Sequence, residues 1–226
     1  MPRITSIIFT LITLIGLSSC QSPSEPVTFE SLLLEVVDRE QMADYPRPYY
    51  DTGQFSSYDR RAKKRGGPNW FANMDRTYFL RKEQKKGRTE YVMMDTTGPG
   101  ALTRFWMTFA GPGAGQGTLR IYLDHSDEPV IEGKAFDVVS GEQLAGPPLS
   151  SSVSKLTDYE KRGHNLYLPI PYEEHVKITY QSENIEEPGA PSGEAVYYAI
   201  NYRTYEEGTP VETFTRDILQ QKDSLL

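Results

Sequence analysis

One run of the chain, Ala101 to Ala110, places a guanidinium beside an indole. Side chains alternate between the two faces of a strand. The run therefore predicts one face with Ala101, Thr103, Phe105, Met107 and Phe109, and another with Leu102, Arg104, Trp106 and Thr108. The first face is almost entirely apolar and should lie against a core. On the second face, Arg104 and Trp106 form either a cation–π packing pair or one wall of a binding site.

Other residue types that carry catalysis are sparse or show no pattern. His125, His164 and His175 are scattered, so the sequence predicts no metal site, and nothing in it predicts a cofactor. Cys20 is the single cysteine, which excludes an intrachain disulfide and a cysteine metal cluster. No serine sits in a nucleophile elbow. Carboxylates are plentiful, but a glycosidase needs two of them about 5 to 9 Å apart, and sequence spacing cannot show which two meet.

A basic cluster lies inside a segment without strand or helix pattern, from Tyr49 to Asp75. Its members are Arg60, Arg61, Lys63, Lys64 and Arg65. A loop of this length is usually functional or disordered, and its aromatic residues argue against disorder. The cluster is either a solvated loop tip or a contact for phosphate or anionic lipid. The glycine-rich segment 111–117 is followed by a strand pattern and not by the Lys-Ser or Lys-Thr of a phosphate-binding loop, so it predicts a hairpin loop.

The overall composition limits the class of protein. The chain has 226 residues and a formal net charge of -7, which does not favour nucleic acid as a partner. This length suits one domain of the sandwich or barrel class. Aromatic residues make up 12%, including 15 tyrosines, each with a flat apolar face and a polar tip.

The first twenty residues predict a lipoprotein signal peptide. Arg3 precedes an apolar run from Ile4 to Leu17, and Leu17-Ser-Ser-Cys20 closes it. This ending resembles a lipobox, in which Cys20 is acylated and becomes the mature N-terminus. Ordinary signal cleavage near Ser19, leaving Cys20 as an exposed thiol, is the alternative. Residues 21–28 predict a flexible tether, and the acylated protein would lie in the bacterial cell envelope, at the outer membrane or facing the periplasm.

The remaining residues, 29–226, predict an all-β fold, an antiparallel jelly-roll sandwich with a short N-terminal amphipathic helix and a C-terminal helix. Thr28 should cap the first helix, which would run from Phe29 to about Ala43. The strands expected are Tyr78–Glu83, Glu90–Asp95, Ala101–Ala110, Thr118–Leu123, Pro129–Gly133, Asn165–Ile170, His175–Gln181 and Glu194–Arg203, with a long connection at Ser140–Ser154.

The C-terminal stretch from Thr215 begins like a capped helix and stops in mid-pattern. It has no glycine, proline or basic last turn. We expect an interrupted chain whose exposed surface includes Ile218, Leu219, Leu225 and Leu226. Burial of each such side chain contributes about 1.5 to 3 kcal/mol, so the isolated chain should self-associate or require a second polypeptide.

Several segments together resemble one family, glycoside hydrolase family 172, formerly domain of unknown function 2961. The segments that carry the resemblance are Ser31–Leu33 with Val37–Arg39, Phe55–Arg61, Gly67–Asn73, Tyr91–Asp95 with Gly98–Trp106, Leu119–Asp124, Asn165–Tyr172 and Tyr197–Tyr202. They cover nearly all of the mature chain in order. The resemblance implies a double jelly roll, oligomers, and activity on fructofuranose or arabinofuranose linkages.

The chain departs from the family in one respect. The resemblance places the family's two catalytic glutamates in its second half, one of them in a Gly-Thr-Glu-Asp-Tyr-like motif that this sequence lacks. The chain resembles the first jelly roll only, so no catalytic residue is carried over and the second half or like subunits are the expected protein partners.

Within the resemblance, the glycine-rich loop offers candidate residues for lining a sugar site. They are Asn69, Trp70 and Asp75, because an indole stacks on sugar carbons and a carboxylate accepts from hydroxyls. A loop pinned by its own buried Trp70 is the alternative. Two functions follow: the first half of a glycoside hydrolase that is inactive alone, or a non-catalytic, lipid-anchored glycan-binding or assembly protein.

Overall fold

A computed structural model describes residues 25–40, 43–153, 156–158 and 161–221. They form two antiparallel sheets packed face to face, with few helices, so the predicted all-β jelly-roll sandwich is confirmed. Cys20, Leu225 and Leu226 lie outside the described residues. None of the described helices is both long and apolar enough to span a bilayer.

Sheet I has the strand order β1-β11-β4-β8-β7, with β9 also paired to β4. Its strands are β1 (Tyr50–Ser56), β4 (Gly100–Ala110), β7 (Ser150–Ser152), β8 (His164–Leu166), β9 (Ile170–Tyr172) and β11 (Ala195–Tyr205). Sheet II has the order β2-β3-β10-β5-β6. Its strands are β2 (Arg81–Lys85), β3 (Arg88–Thr97), β5 (Thr118–Leu123), β6 (Ile131–Lys134) and β10 (His175–Gln181).

The chain passes between the sheets repeatedly, at β1–β2, β3–β4, β4–β5, β6–β7, β9–β10 and β10–β11. Such crossings are typical of Greek-key and jelly-roll sandwiches. They bring apolar side chains of distant segments into one core. That core includes Phe105, Met107 and Phe109 of β4 with Ile121 of β5 and Ile178 of β10. Burial of each contributes about 1.5 to 3 kcal/mol before conformational entropy is counted.

A β-bulge at Thr103 changes the predicted faces of β4. Arg104 pairs with Asn201 of β11, but Leu102 pairs with Tyr202, so Thr103 is an extra residue. Two residues of the bulged strand then oppose one on its neighbour, and the alternation shifts by one position. Leu102 therefore lies in the main core and Ala101 in a smaller cluster on the other side of the sheet, the reverse of the prediction.

Three elements, β1, β7 and a short helix, were missed because their sequences lack the expected pattern; β7 lies inside the connection predicted at Ser140–Ser154. β1 lies inside the predicted loop: it is an edge strand whose Asp51, Thr52 and Gln54 are exposed. Gly53, which looks like a turn residue, allows the Tyr202 ring to pack across the strand, since a Cβ there would lie 2.4 Å from that ring. A short helix, α2 (Ala135–Ser140), precedes the connection predicted from residue 140.

The N-terminal helix α1 (Phe29–Val37) is shorter than predicted. Thr28 caps it as expected, in a reciprocal capping box with Ser31. Asp38 then adopts extended backbone angles, and its carboxylate accepts a hydrogen bond from the Glu40 N–H at 2.9 Å, which competes with helical pairing. Val27, at the end of the predicted tether, is already part of the fold, because it is buried and bridges to Val211.

The C-terminal helix α3 (Asp217–Gln221) corrects one prediction about the surface. Ile218 and Leu219 are partly buried and pack against the main core. They were expected to be exposed, but the turn made by Ile218 N–H to the Thr215 carbonyl directs the helix onto the sandwich. Ile218 and Leu219 therefore form no exposed apolar surface that would favour self-association.

Candidate functional site

A cavity of about 1070 Å³ lies on the outer face of sheet I. Helix α1 and segment 44–48 form one wall, and β1, β4 and β11 form the floor. A smaller space of about 530 Å³ continues it, since Tyr50, Thr103 and Arg203 line both. We call this continuous feature the sheet groove. It exists because α1 packs across only one end of the sheet, which leaves the rest of the outer face open.

The floor of the sheet groove is fixed around Arg203. Its guanidinium donates to the Glu35 carboxylate of α1 and lies 4.2 Å from the centre of the Tyr50 ring. Tyr50 in turn packs edge-on against Tyr205, with ring centres 5.9 Å apart. Burial works to lower the pKa of Arg203, but the Glu35 carboxylate outweighs it and raises the pKa. Arg203 therefore stays charged and holds one orientation.

Tyr205 leaves a polar atom without a partner beside this cavity. The residue is only 5% exposed, and its hydroxyl has no hydrogen-bond partner among the described residues, although Arg203 lies nearby without suitable geometry. Burial raises the pKa of the Tyr205 phenol, so it is neutral and can both donate and accept. A buried unpaired hydroxyl is costly, but this atom is sealed from solvent, so it does not open into the groove in this structure.

A row of polar side chains extends the groove across four strands. The Asn201 amide donates to Gln54 Oε1 at 3.2 Å, and Arg104 donates to Asn201 Oδ1 at 3.3 Å. On its other side Arg104 donates to Asn165 Oδ1 through Nε at 3.1 Å and Nη2 at 2.9 Å. We call these residues the polar ladder. Arg104 is thus held by two asparagines on the outer face, where alternation with the buried Phe105 places it.

The groove and ladder provide the groups that sugars require. Tyr45, Tyr50 and Tyr167 offer aromatic surface to sugar C–H groups. Planar side chains such as those of Arg203 and Asn201 can pair with neighbouring hydroxyls, and Asp44 can accept from them. The arrangement can therefore bind a polyhydroxylated chain along the outer face of sheet I.

The residues predicted to line a sugar site lie elsewhere, in a loop at 57–75. Asn69 is exposed in a left-handed conformation, and Trp70 is 39% exposed. Asp75 accepts a hydrogen bond from the Asp59 N–H at 2.8 Å. The alternative of a loop pinned by a buried Trp70 is wrong, because the ring is exposed. A sugar-lining role for Asn69, Trp70 and Asp75 stays a prediction.

Asp59 is the residue that pins this loop. Its buried carboxylate accepts from the Arg61 guanidinium, from the Arg61 N–H at 3.0 Å and from the Met74 N–H at 3.1 Å. The hydrogen bond from Arg61 holds the pKa of Asp59 well below its usual range. Both ends of the loop are therefore tied to one ionised side chain.

The histidines are less scattered than the sequence suggests. The rings of His125 and His175 stack 4.3 Å apart, and His175 Nε2 lies 2.7 Å from Asp95 Oδ1. His164 is separate and lies 2.8 Å from the Ser152 hydroxyl. Within the residues that the structure describes, no group of three histidine, cysteine or acidic side chains is arranged to hold a metal ion.

Two carboxyl groups are buried away from the groove. Burial alone would raise the pKa of Glu90, but hydrogen bonds from Thr179 and Arg88 outweigh it and lower the pKa. Burial raises the pKa of Glu194, whose Oε1 accepts from Tyr180 at 2.6 Å and from the Gly115 N–H at 2.9 Å. A raised pKa suits a general acid, but Glu194 is only 1% exposed, so it is sealed from substrate.

The sequence analysis missed the residues of the sheet groove. One available signal was the alternation in β11, where Val196, Tyr198 and Ile200 face the core. The intervening positions then place Asn201 and Arg203 outward. The other wall, from Glu35 and segment 44–48, could not be inferred, because only the tertiary fold brings α1 over the sheet.

Comparison with known proteins identifies the family. A family model described as the GH172 first beta-sandwich domain matches residues 48–222. No curated protein matches the chain. Among solved structures, the VP2 subviral particle of infectious bursal disease virus is 12% identical with a TM-score of 0.29. That match covers 71% of this chain and 34% of the viral chain, and so low a similarity carries no argument. Because the family match spans most of the chain, this protein belongs to GH172 and contains the first β-sandwich domain of that glycoside hydrolase-like family.

Proposed function

We propose that this chain binds glycans of the fructofuranose or arabinofuranose type in the sheet groove, and that it does not hydrolyse them alone. The observation that carries the proposal is the groove itself, a space of about 1070 Å³ lined by Tyr45, Tyr50 and Tyr167 and by the fixed guanidinium of Arg203. Membership of a glycoside hydrolase-like family supports a glycan as the ligand.

Inactivity of the isolated chain is supported by two observations. The sequence contains no Gly-Thr-Glu-Asp-Tyr segment, where the family resemblance places a catalytic glutamate. Among the described carboxyl groups, the one with a resolved upward pKa shift is Glu194, which is sealed from the groove. The missing carboxylates would come from a second sandwich or from a like subunit in a homo-oligomer. The alternative function, a non-catalytic glycan-binding or assembly protein, would use the same groove.

The protein would work at the cell envelope. Acylation of Cys20 after export would anchor it to a membrane, and residues 21 onward would extend from that anchor. This location suits the proposed ligand, because envelope glycans are then within reach of the groove.

Calorimetric titration of residues 21–226 with arabinofuranosyl and fructofuranosyl oligosaccharides tests the groove; every described element lies within that span. Tyr45 is 75% exposed and lines the cavity, so Tyr45→Ala should weaken binding about threefold to tenfold through lost stacking. Tyr58→Ala is the matched control, because Tyr58 is exposed outside the cavity. Equal losses in both variants would contradict the proposal.

Measurements of turnover and of gene context distinguish the half of a glycoside hydrolase from the non-catalytic binding protein. We expect no release of aryl alcohol from an aryl arabinofuranoside or fructofuranoside, and measurable turnover by residues 21–226 would show that the chain is catalytic alone. A reading frame after Leu226 that encodes the Gly-Thr-Glu-Asp-Tyr segment would favour the split hydrolase. Absence of such a frame would favour the binding protein.

A further inference from the structure

We propose that loop 57–75 docks this protein onto an anionic lipid bilayer, with Phe71 and Trp70 in the headgroup region and the basic cluster on the lipid phosphates. The loop lies outside both spaces of the sheet groove. The inference therefore rests on the loop alone and does not depend on the glycan proposal.

The loop presents large apolar side chains to water. Phe71 is 89% exposed, and Tyr58, Trp70 and Met74 are exposed as well. Clusters of this kind mark surfaces that meet a partner or a membrane. Tryptophan is enriched at membrane interfaces because its ring is apolar and its N–H is polar. Burial of a phenylalanine in the interface gains part of the hydrophobic free energy that its exposure forgoes.

Three cations of the loop, Lys63, Lys64 and Arg65, have no acidic partner among the described residues, whereas Arg61 is paired with Asp59. Segment 57–75 has five basic and two acidic side chains, although the whole chain has a net charge of -7. Lys63, Lys64 and Arg65 are exposed, and no carboxylate of the described residues pairs with them. The two acidic side chains, Asp59 and Asp75, are used inside the loop. A local positive surface on an acidic protein is complementary to anionic headgroups.

Nearby acidic residues do not cancel this charge. The facing segment 182–193 contains Glu183, Glu186 and Glu187. Glu187 pairs with Lys82 at 3.4 Å, and Glu186 accepts from the Ser192 hydroxyl at 2.6 Å. Among the described residues, no ion pair joins this segment to Lys63, Lys64 or Arg65.

Hydrogen bonds inside loop 57–75 hold its aromatic and basic side chains in contact with solvent. Asp59 joins Arg61 to Met74, and Asp75 accepts from the Asp59 N–H. The Thr77 N–H then donates to the Val196 carbonyl of β11 at 3.0 Å, which fixes the exit of the loop on sheet I. An unsupported loop would collapse and bury Phe71. A preorganised loop binds with a smaller loss of conformational entropy.

Shape and charge favour lipid over the other occupants. A sugar site needs a concave surface with acceptors, whereas this loop projects Phe71 outward and its carboxylates are already used. A second copy of this chain has a net charge of -7, like the first. The two copies would repel each other overall, and only one small basic cluster would attract the partner. An anionic bilayer has an apolar interior that can receive the Phe71 ring and many headgroup phosphates that can pair with the basic cluster.

Tryptophan fluorescence gives a direct test, because the chain has only two tryptophans. In residues 21–226 with Trp106→Phe, Trp70 is the single reporter. We expect its emission to shift to the blue on addition of vesicles made of two parts phosphatidylcholine to one part phosphatidylglycerol. Vesicles of phosphatidylcholine alone should give little or no shift at the same lipid concentration.

Variants separate the two contributions in a vesicle sedimentation assay. Phe71→Ala should reduce partitioning about tenfold, and the triple change Lys63→Glu, Lys64→Glu, Arg65→Glu about a hundredfold or more. Tyr45→Ala is the aromatic control. Arg39→Glu with Lys86→Glu and Lys161→Glu is the charge control, because these exposed cations lie in other parts of the chain. Near-ultraviolet circular dichroism checks that each variant is folded.

Several outcomes would overturn the proposal. They are binding that does not depend on phosphatidylglycerol, equal losses in the dispersed charge control, or folded protein that does not sediment with either vesicle. A dimer that dissociates on Phe71→Ala, without vesicle binding, would assign the loop to a second copy. Competition at Trp70 by the furanosyl oligosaccharides would assign it to sugar. Glycan titration of the same variants remains a separate readout of the sheet groove.

Discussion

The sheet groove runs along β1 and loop 57–75 follows the end of that strand, and the two regions use similar residues in opposite ways. In the groove, Tyr50 and Arg203 line a concave space, and Glu35 neutralises the guanidinium. In the loop, Tyr58 and Phe71 project outward, next to lysines without an acidic partner in the described residues. The comparison shows that the tyrosine and arginine content of a surface region does not by itself determine which ligand the region binds. Surface shape and charge pairing favour a neutral glycan in one region and an anionic surface in the other.

The largest effect should come from the predicted lipid anchor. Cys20→Ala removes the acylation site, so the protein should leave the membrane fraction, with partitioning reduced by orders of magnitude. If the loop is a second contact, a small bound remainder should be removed by high salt or by Phe71→Ala. Fractionation with a salt wash measures both. Unchanged membrane association of the Cys20→Ala protein would show that the anchor lies elsewhere.

Removal of the Asp59 carboxylate should open loop 57–75 and leave the sheet groove unchanged. Asp59→Ala deprives Arg61 and the Met74 N–H of their shared acceptor. We expect tryptic cleavage after Lys63, Lys64 or Arg65 to become faster by an order of magnitude or more, because the loop opens locally. Glycan affinity should not change. Unchanged cleavage would mean that other contacts determine the shape of the loop.

The converse change acts on the groove. Arg203→Leu removes a charged donor and leaves Glu35 without its partner, so the affinity for furanosyl oligosaccharides should fall about tenfold. Vesicle binding should be unaffected. Calorimetry and sedimentation measure the two effects, and Arg39→Leu, an exposed arginine outside the groove, is the control. A loss of vesicle binding in Arg203→Leu would show that the two regions are coupled.

The smallest effect concerns pH. The hydrogen bond from Arg61 lowers the pKa of Asp59, so its carboxylate stabilises the folded loop above the ordinary aspartate value. That contribution is lost as the pH falls through the lowered pKa. Trp70 emission in the Trp106→Phe protein should therefore change only below about pH 4. Asp59→Asn should flatten this change. An undiminished transition in Asp59→Asn would contradict the assignment of this change to Asp59.

The sequence predicted the elements whose two faces differ clearly. The bounds of β5 and β10 agree with the prediction, because β-branched and aromatic residues alternate between turn residues. β1 was missed because its outer positions are polar and Gly53 resembles a turn, whereas its pairing depends on β11, which is distant in the chain. α2 was missed because its four buried apolar residues do not distinguish a helical turn from a strand.

The candidate sites were less accessible to prediction than the fold. The basic cluster and the aromatic residues of loop 57–75 are contiguous in the chain, so they could be identified as a functional segment. The sheet groove joins Glu35, Tyr50 and Arg203, which meet only after α1 packs on sheet I. Nor could any pattern place Arg104 between Asn165 and Asn201, because that depends on cross-strand register.

The extra residue at Thr103 has a consequence for how relatives of this chain should be aligned. The inward-facing positions of β4 differ on its two sides: before Thr103 the even-numbered Leu102 faces inward, and after it the even-numbered Arg104 faces outward. A relative that lacks the extra residue would keep regular alternation, with Leu102 inward and Arg104 outward. An alignment without a gap here would therefore match inward-facing positions of one chain with outward-facing positions of the other on one side of Thr103, so relatives without the bulge should be aligned with a one-residue gap at this position.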